Sequence, residues 1–195
     1  MRKAFRLLAL LLCGALLLPC AAVRADEPIY HFQTDFSQES LGDALTRYLA
    51  SRFLDSYSVK IGWCDLQSGE EWFLDGDTFM ECASTYKLPL AMIYVDKIAA
   101  GELTLDDKIG SYVLGDALEN MLVNSHNGSG YILRSHVSED VMEYRRLQAA
   151  YSGLSEDEIS PAFYHYNLFS PRFMIGTLHT LYDNPERYEI GRAHV

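Results

Sequence analysis

The hydrophobic pattern divides the chain into segments of different period. Leu7 to Leu18 is one apolar run, interrupted only by Cys13 and Gly14. Between Ser40 and Leu54, Leu41, Leu45, Tyr48, Leu49 and Leu54 recur near helical spacing, which predicts an amphipathic helix that covers another element. Tyr57–Leu66 and Glu70–Leu74 are short β-like runs. Gln67-Ser68-Gly69 joins them as a hairpin turn, and Asp75-Gly76-Asp77 is a second turn. Leu88–Ala100 is apolar on nearly every side, which predicts a central buried helix closed by Gly101. Pro89 is the difficulty there, because proline inside a helix removes a hydrogen bond and costs about 3 kcal/mol.

The pattern beyond residue 100 is more broken. Glu102–Ile109 connects, with Leu103, Leu105 and Ile109 facing inward, and Gly115–Asn124 is a short helix burying Leu118, Met121 and Leu122. Asn124-Ser125-His126-Asn127-Gly128 terminates it. Ser138–Tyr151 reads as a further helix capped by Ser138, with Glu139 and Asp140 in its first turn. Ser152–Asn167 is an irregular loop running from acidic to aromatic. The last helix starts at Ser170 as N-cap and Pro171 at its first position, and buries Phe173, Met174, Thr177, Leu178 and Leu181. Asn184-Pro185 stops it. The chain has no repeats and no low-complexity tract.

The front of the chain is expected to leave before folding. Arg2, Lys3 and Arg6 precede the apolar run, and Val23-Arg24-Ala25 offers a small-residue cleavage site. Residues 1–25 therefore read as a secretory signal peptide cleaved after Ala25; the run is short for a membrane span, so no stable anchor is expected. Pro19 before Cys20 fits a lipoprotein site poorly. Asp26–Asp35 follows as an extended lead-in. Cleavage removes four of the 16 Lys+Arg and none of the 27 Asp+Glu, moving the net charge from −11 to −15. That charge argues against a nucleic-acid partner. Cys64 and Cys82 remain; outside the cytosol they could pair, and two buried free thiols are the expected state. No Cys/His spacing resembles a metal site, and no cofactor is expected.

The candidate chemistry lies at Ala83-Ser84-Thr85-Tyr86-Lys87, where a turn-rich stretch becomes the central helix. Ser84 and Lys87, one turn apart, share a face. A lysine whose pKa is lowered by burial could take the proton of a serine nucleophile. The same residues would also suit a helix N-cap and a surface lysine. This is the sole S-x-x-K in the chain, and the sole S-x-N, Ser125-His126-Asn127, follows 41 residues later. Tyr86 points off the Ser84/Lys87 face and is expected in the core.

Together these stretches resemble the penicillin-recognising serine hydrolases, most closely the class A β-lactamase-like group. The likeness runs through Ser58–Asp75, Ala83–Ile109 and Leu118–Leu133, and weakly into Phe169-Ser170-Pro171. It implies an α+β fold, an antiparallel sheet flanked by helices plus an all-helical lobe, with the site at their junction. It implies acylation of Ser84 by a β-lactam or cell-wall peptide, with Lys87 as base. Ser125 would relay a proton to the leaving nitrogen, and Asn127 would bind the substrate amide and hold Lys87. The Ser84 N–H would form half of an oxyanion hole. A small-molecule substrate and a monomeric enzyme are expected. The alternatives are a D-Ala-D-Ala peptidase or transpeptidase of the penicillin-binding kind, and a non-catalytic surface domain of the same fold.

Three departures qualify the resemblance. His126 stands where β-lactamases usually carry aspartate, and is expected to face solvent. The loop Gly153–Asn167 offers Glu156 and Glu158 as possible deacylation bases, but neither sits in the family's E-x-x-L-N pattern. The family's K-[ST]-G strand and the strands after it are missing. Residues 26–188 are therefore expected to be the N-terminal part of the catalytic domain and 189–195 a non-native tail, the gene continuing where a resequenced locus would show it. On that expectation the 195-residue fragment is inactive and poorly soluble.

Overall fold

The computed structural model describes residues 40–54 and 59–188. The expected signal peptide, the lead-in, the start of the first strand and the tail lie outside these residues. The architecture is α+β. In chain order the helices are α1 Leu41–Ser51, α2 Lys87–Ala99, α3 Leu114–Val123, α4 Asn127–Ser135, α5 Val141–Ser152, α6 Phe163–Tyr166, α7 Pro171–Asp183 and α8 Pro185–Tyr188. The strands are β1 Ile61–Cys64, β2 Glu71–Leu74, β3 Met80–Glu81, β4 Lys108–Ile109, β5 Tyr112–Val113 and β6 Leu168–Phe169. They form three antiparallel pairs, β1–β2, β3–β6 and β4–β5. No helix among the described residues is long and apolar enough to cross a membrane.

Helix α2 is the centre. Leu90, Ala91, Met92, Ile93 and Tyr94 are all buried, and α3, α4, α5 and α8 pack around them. Burial of each large apolar side chain contributes roughly 1.5–3 kcal/mol. The Tyr94 hydroxyl donates to the Leu133 carbonyl at 2.7 Å, which satisfies its one polar atom in the core. Pro89 causes no break. It lies in the first turn of α2, where backbone N–H groups lack intrahelical acceptors in any case.

The flanking elements follow their caps. Ser40 caps α1 by accepting from the Asp43 N–H at 3.1 Å, and Ser170 caps α7 by accepting from the Phe173 N–H at 3.2 Å, with Pro171 first in the helix as expected. Helix α5 begins later than its pattern suggested. Asp140, not Ser138, is the N-cap, accepting from the Met142 N–H, while Ser138 bonds Asp140 and Glu143 just outside. Of the expected α1 stripe only Leu49 is fully buried. Gly42 lets the helix lie against β2, since a Cβ there would meet the Trp72 ring at 2.3 Å. Leu105, Leu122 and Leu178, expected inside, are exposed.

Two pairings join distant segments. In β3–β6, Met80 faces Phe169 and Glu81 faces Leu168, so the end of the long loop is stitched to the segment before Ser84. The loop itself is held by aromatic packing of Phe163 on Tyr144 and Phe169, and of Phe169 on Phe173. Its 3₁₀ turn Glu156–Glu158 is capped by Ser155.

Candidate active site

Ser84 lies in a 3₁₀ turn, Ala83–Tyr86, that runs directly into α2. Ala83 has φ 47°, a left-handed conformation that costs an L-residue about 1–2 kcal/mol. Ser125, in the corner between α3 and α4, has φ 49°, and Asn167 has φ 50°. Among the described residues, two of the five non-glycine positions with positive φ, Ala83 and Asn167, thus line one pocket, and a third, Ser125, holds Lys87. Strain of this kind persists where the surrounding structure over-determines the backbone, and it gathers at functional sites.

Lys87 is the hub. It is only 3 % exposed. Its Nζ lies 3.1 Å from Ser84 Oγ, 3.0 Å from Ser125 Oγ, 2.6 Å from the Ser125 carbonyl and 2.9 Å from Asn127 Oδ1. Two of these partners, the carbonyl and the amide oxygen, can only accept. Two N–H bonds satisfy them and leave the third tetrahedral direction to the hydroxyls. The Ser125 hydroxyl donates to Ser84 Oγ at 3.0 Å. Burial holds the Lys87 pKa below its ordinary 10.5, and among the described residues no carboxylate pairs with it. An amine in this setting can accept the Ser84 proton through a contact already made.

Glycine allows this convergence. Helix α4 approaches α2 at Gly130, where a Cβ would stand 2.6 Å from the Tyr86 hydroxyl and 3.2 Å from Lys87 Cε. Tyr86 is buried, as expected, and its ring also borders the pocket. The stretch Asn124-Ser125-His126-Asn127-Gly128 ends α3 as expected, and a further helix, α4, starts within it at Asn127. His126 is exposed but not idle: its Nδ1 accepts from the Ser129 N–H at 3.1 Å and so caps α4. A backbone N–H can only donate, so Nδ1 carries a lone pair and the ring proton is on Nε2. Imidazole here does the capping that an aspartate side chain performs elsewhere.

The pocket beside Ser84 has a volume of about 360 Å³ and is lined by Glu81, Ala83, Ser84, Tyr86, Asn127, Tyr131, Arg134 and Asn167. Four of these residues carry no signal in the hydrophobic pattern: Glu81, Tyr131, Arg134 and Asn167. Arg134 donates to Asn167 Oδ1 at 2.6 Å and lies over the rings of Tyr86, Tyr131 and Tyr164. The Asn167 carbonyl accepts from the Cys82 N–H at 3.0 Å, tying the loop to the Ser84 turn. Neither Glu156 nor Glu158 belongs to this lining. Glu158 instead accepts from the backbone and hydroxyl of Ser155, hydrogen bonds that hold its pKa down. Asn167 is the one asparagine of the loop, and counting back four residues as in E-x-x-L-N reaches Phe163, buried in the aromatic cluster. The pocket's one carboxylate is Glu81.

Cys64 and Cys82 are both free thiols, as expected, but half-buried rather than buried. No curated protein matches the chain. A family model described as "Beta-lactamase enzyme family" matches residues 43–188, which include Ser84, Lys87, Ser125 and Asn127, and the chain belongs to that family.

Proposed function

We propose that this protein is a serine hydrolase of the class A β-lactamase type, opening the β-lactam amide through an acyl-enzyme on Ser84. The observation that carries this reading is the placement of Lys87 Nζ within 3.1 Å of both the Ser84 and Ser125 hydroxyl oxygens. Lys87 takes the Ser84 proton as Oγ attacks the carbonyl carbon. The Ser84 N–H, at the positive end of the turn entering α2, stabilises the oxyanion. The Ser125 hydroxyl passes a proton to the departing nitrogen and is reprotonated from Lys87. Asn127 keeps Lys87 oriented and offers its N–H₂ to the substrate's side-chain amide. Hydrolysis of the ester then needs a base for water, and Glu81 is the carboxylate that borders the pocket.

A second reading has its own support. With Phe163 at the glutamate position of the loop motif, an acyl-enzyme that persists, as in a penicillin-binding peptidase, fits the site as well. Intact-protein mass spectrometry of the full-length protein, expressed from the resequenced gene and mixed with a penicillin, separates the two. A transient adduct on Ser84 with hydrolysed product supports the β-lactamase. A lasting adduct supports the peptidase type. No adduct, or an adduct that survives Ser84→Ala, sinks both and leaves a non-catalytic domain. Secretion through a cleaved signal peptide belongs to the same proposal, and the N-terminal residue of the mature protein tests it: Asp26 is expected.

A further inference from the structure

Apart from the pocket at Ser84, β1, β2 and α7 bring a thiol, a carboxylate and an imidazole together. Strand residues two apart share a face, as do helix residues four apart. Gly62 meets Ile175 where β1 crosses α7, for a Cβ there would lie 2.7 Å from Ile175 Cγ1. Two steps along the strand and four along the helix lead to Cys64 and His179. Glu71 is the antiparallel partner of Cys64 and leaves the sheet on the same face. One ligand atom of each of these three residues lies within 4.8 Å of the other two.

These groups are poorly matched to one another. His179 Nε2 is 3.4 Å from Glu71 Oε1, near enough for a charge contact, yet it is buried and makes no hydrogen bond. Leaving such an atom unpartnered costs about 1–3 kcal/mol. A cation among the three would give that nitrogen a partner.

We propose that Cys64, Glu71 and His179 bind one divalent cation of borderline softness, with Zn²⁺ the best match. Thiolate and imidazole favour zinc over magnesium or calcium, and a carboxylate oxygen is a zinc ligand too, so three protein ligands are present as in open zinc sites. Zinc–ligand bonds of about 2.0–2.3 Å imply ligand separations of roughly 3.3–3.8 Å; the Glu71–His179 spacing of 3.4 Å already fits, and Cys64 lies within 4.8 Å of both. The fourth tetrahedral position faces a cavity of about 900 Å³ that Cys64 and His179 both line, leaving it open to water or a small ligand. Metal binding displaces the thiol proton to solvent. The sequence hides this set, because its third member arrives from a helix far along the chain.

The site does not depend on the hydrolase reading, and its test does not use catalysis. The full chain, treated with chelator, is titrated with Co²⁺. One equivalent should bind, with thiolate-to-cobalt charge-transfer absorption in the near ultraviolet and the visible bands of a four-coordinate ion, and Zn²⁺ should displace it. Cys64→Ser should abolish the charge-transfer band. His179→Gln should weaken binding by more than about tenfold, the loss typical even of a group that only supports a ligand. Ser84→Ala should bind Co²⁺ as the parent does. Absence of the charge-transfer band in the parent chain overturns the proposal. So does a parent-like spectrum in His179→Gln, the variant that decides if Cys64→Ser fails to fold by circular dichroism.

Discussion

The Ser125 carbonyl and the Ser125 hydroxyl both meet Lys87 Nζ, at 2.6 and 3.0 Å, because Ser125 adopts a φ of 49°. One residue in a left-handed conformation turns two oxygens toward one amine. The carbonyl occupies an N–H and the hydroxyl lies beside Ser84, so position and proton relay come from the same corner of the chain.

Lys87→Arg tests the base. Arginine keeps the charge and cannot give up its proton at any ordinary pH. Acylation by a fluorescent penicillin should slow by about 10²–10⁴-fold, the usual contribution of a positioned base. A labelling rate within threefold of the parent would show that Lys87 is not that base.

The pH dependence follows from the direction of the Lys87 shift. The reactive form is the neutral amine, and burial lowers the pKa below 10.5. Acylation should therefore rise with pH to a plateau whose midpoint lies below 10.5. Stability has a definite sign too. Between the lowered folded pKa and the unfolded value near 10.5 the unfolded chain binds more protons, so stability rises with pH across that window. Below the window both states are charged and the full burial penalty is present. Urea midpoints across this range check the slope, and Lys87→Met should flatten it.

Asn127→Asp should move the same profile the other way. It places a carboxylate where Oδ1 now lies, 2.9 Å from Nζ. An opposite charge that close favours the ammonium and typically shifts a pKa by about 1–3 units. The acylation midpoint should shift to higher pH, with the rate at neutral pH falling about tenfold or more. An unmoved midpoint would contradict the assigned contact.

Glu81→Gln should lengthen the life of the acyl adduct, because Glu81 is the carboxylate on the pocket wall. Glu156→Gln and Glu158→Gln should leave it unchanged. The decay of the adduct by mass spectrometry ranks the three. A longer lifetime in either loop variant alone would restore the loop glutamates as candidates.

Gly130→Ala sets two effects against each other. Alanine in place of glycine favours a helix by about 1 kcal/mol. The added Cβ would stand 2.6 Å from the Tyr86 hydroxyl, and overpacking of this kind costs about 1–3 kcal/mol. The clash should win, lowering the urea midpoint and slowing acylation as Asn127 and Ser125 are pushed off Lys87. A more stable variant with unchanged labelling would refute the close approach.

Much of this was legible in the chain as written. The run from Leu88 to Ala100 determined a central helix buried on most sides, and Ser170-Pro171 determined where α7 starts, because caps and periodicity are local properties. Helix α4 was not legible. Asn127, Gly128 and Gly130 are poor helix formers, and the segment is helical because His126 caps it and Gly130 fits against Tyr86. The depth of Leu122 and Leu178 was not legible either, since periodicity names a face without saying whether anything packs on it.

The sequence by itself determined the chemistry available at Ser84, Lys87, Ser125 and Asn127, and the family they belong to. Tertiary structure decided which groups share a pocket. It placed Glu81 and Asn167 beside Ser84 through the β3–β6 pair, kept Glu156 and Glu158 off the wall, and set His179 against Cys64. The reason is physical. Spacing along a chain reports neighbours only within one turn or one strand, while contacts between elements depend on how closely backbones pack, and here glycines at 62 and 130 set those approaches.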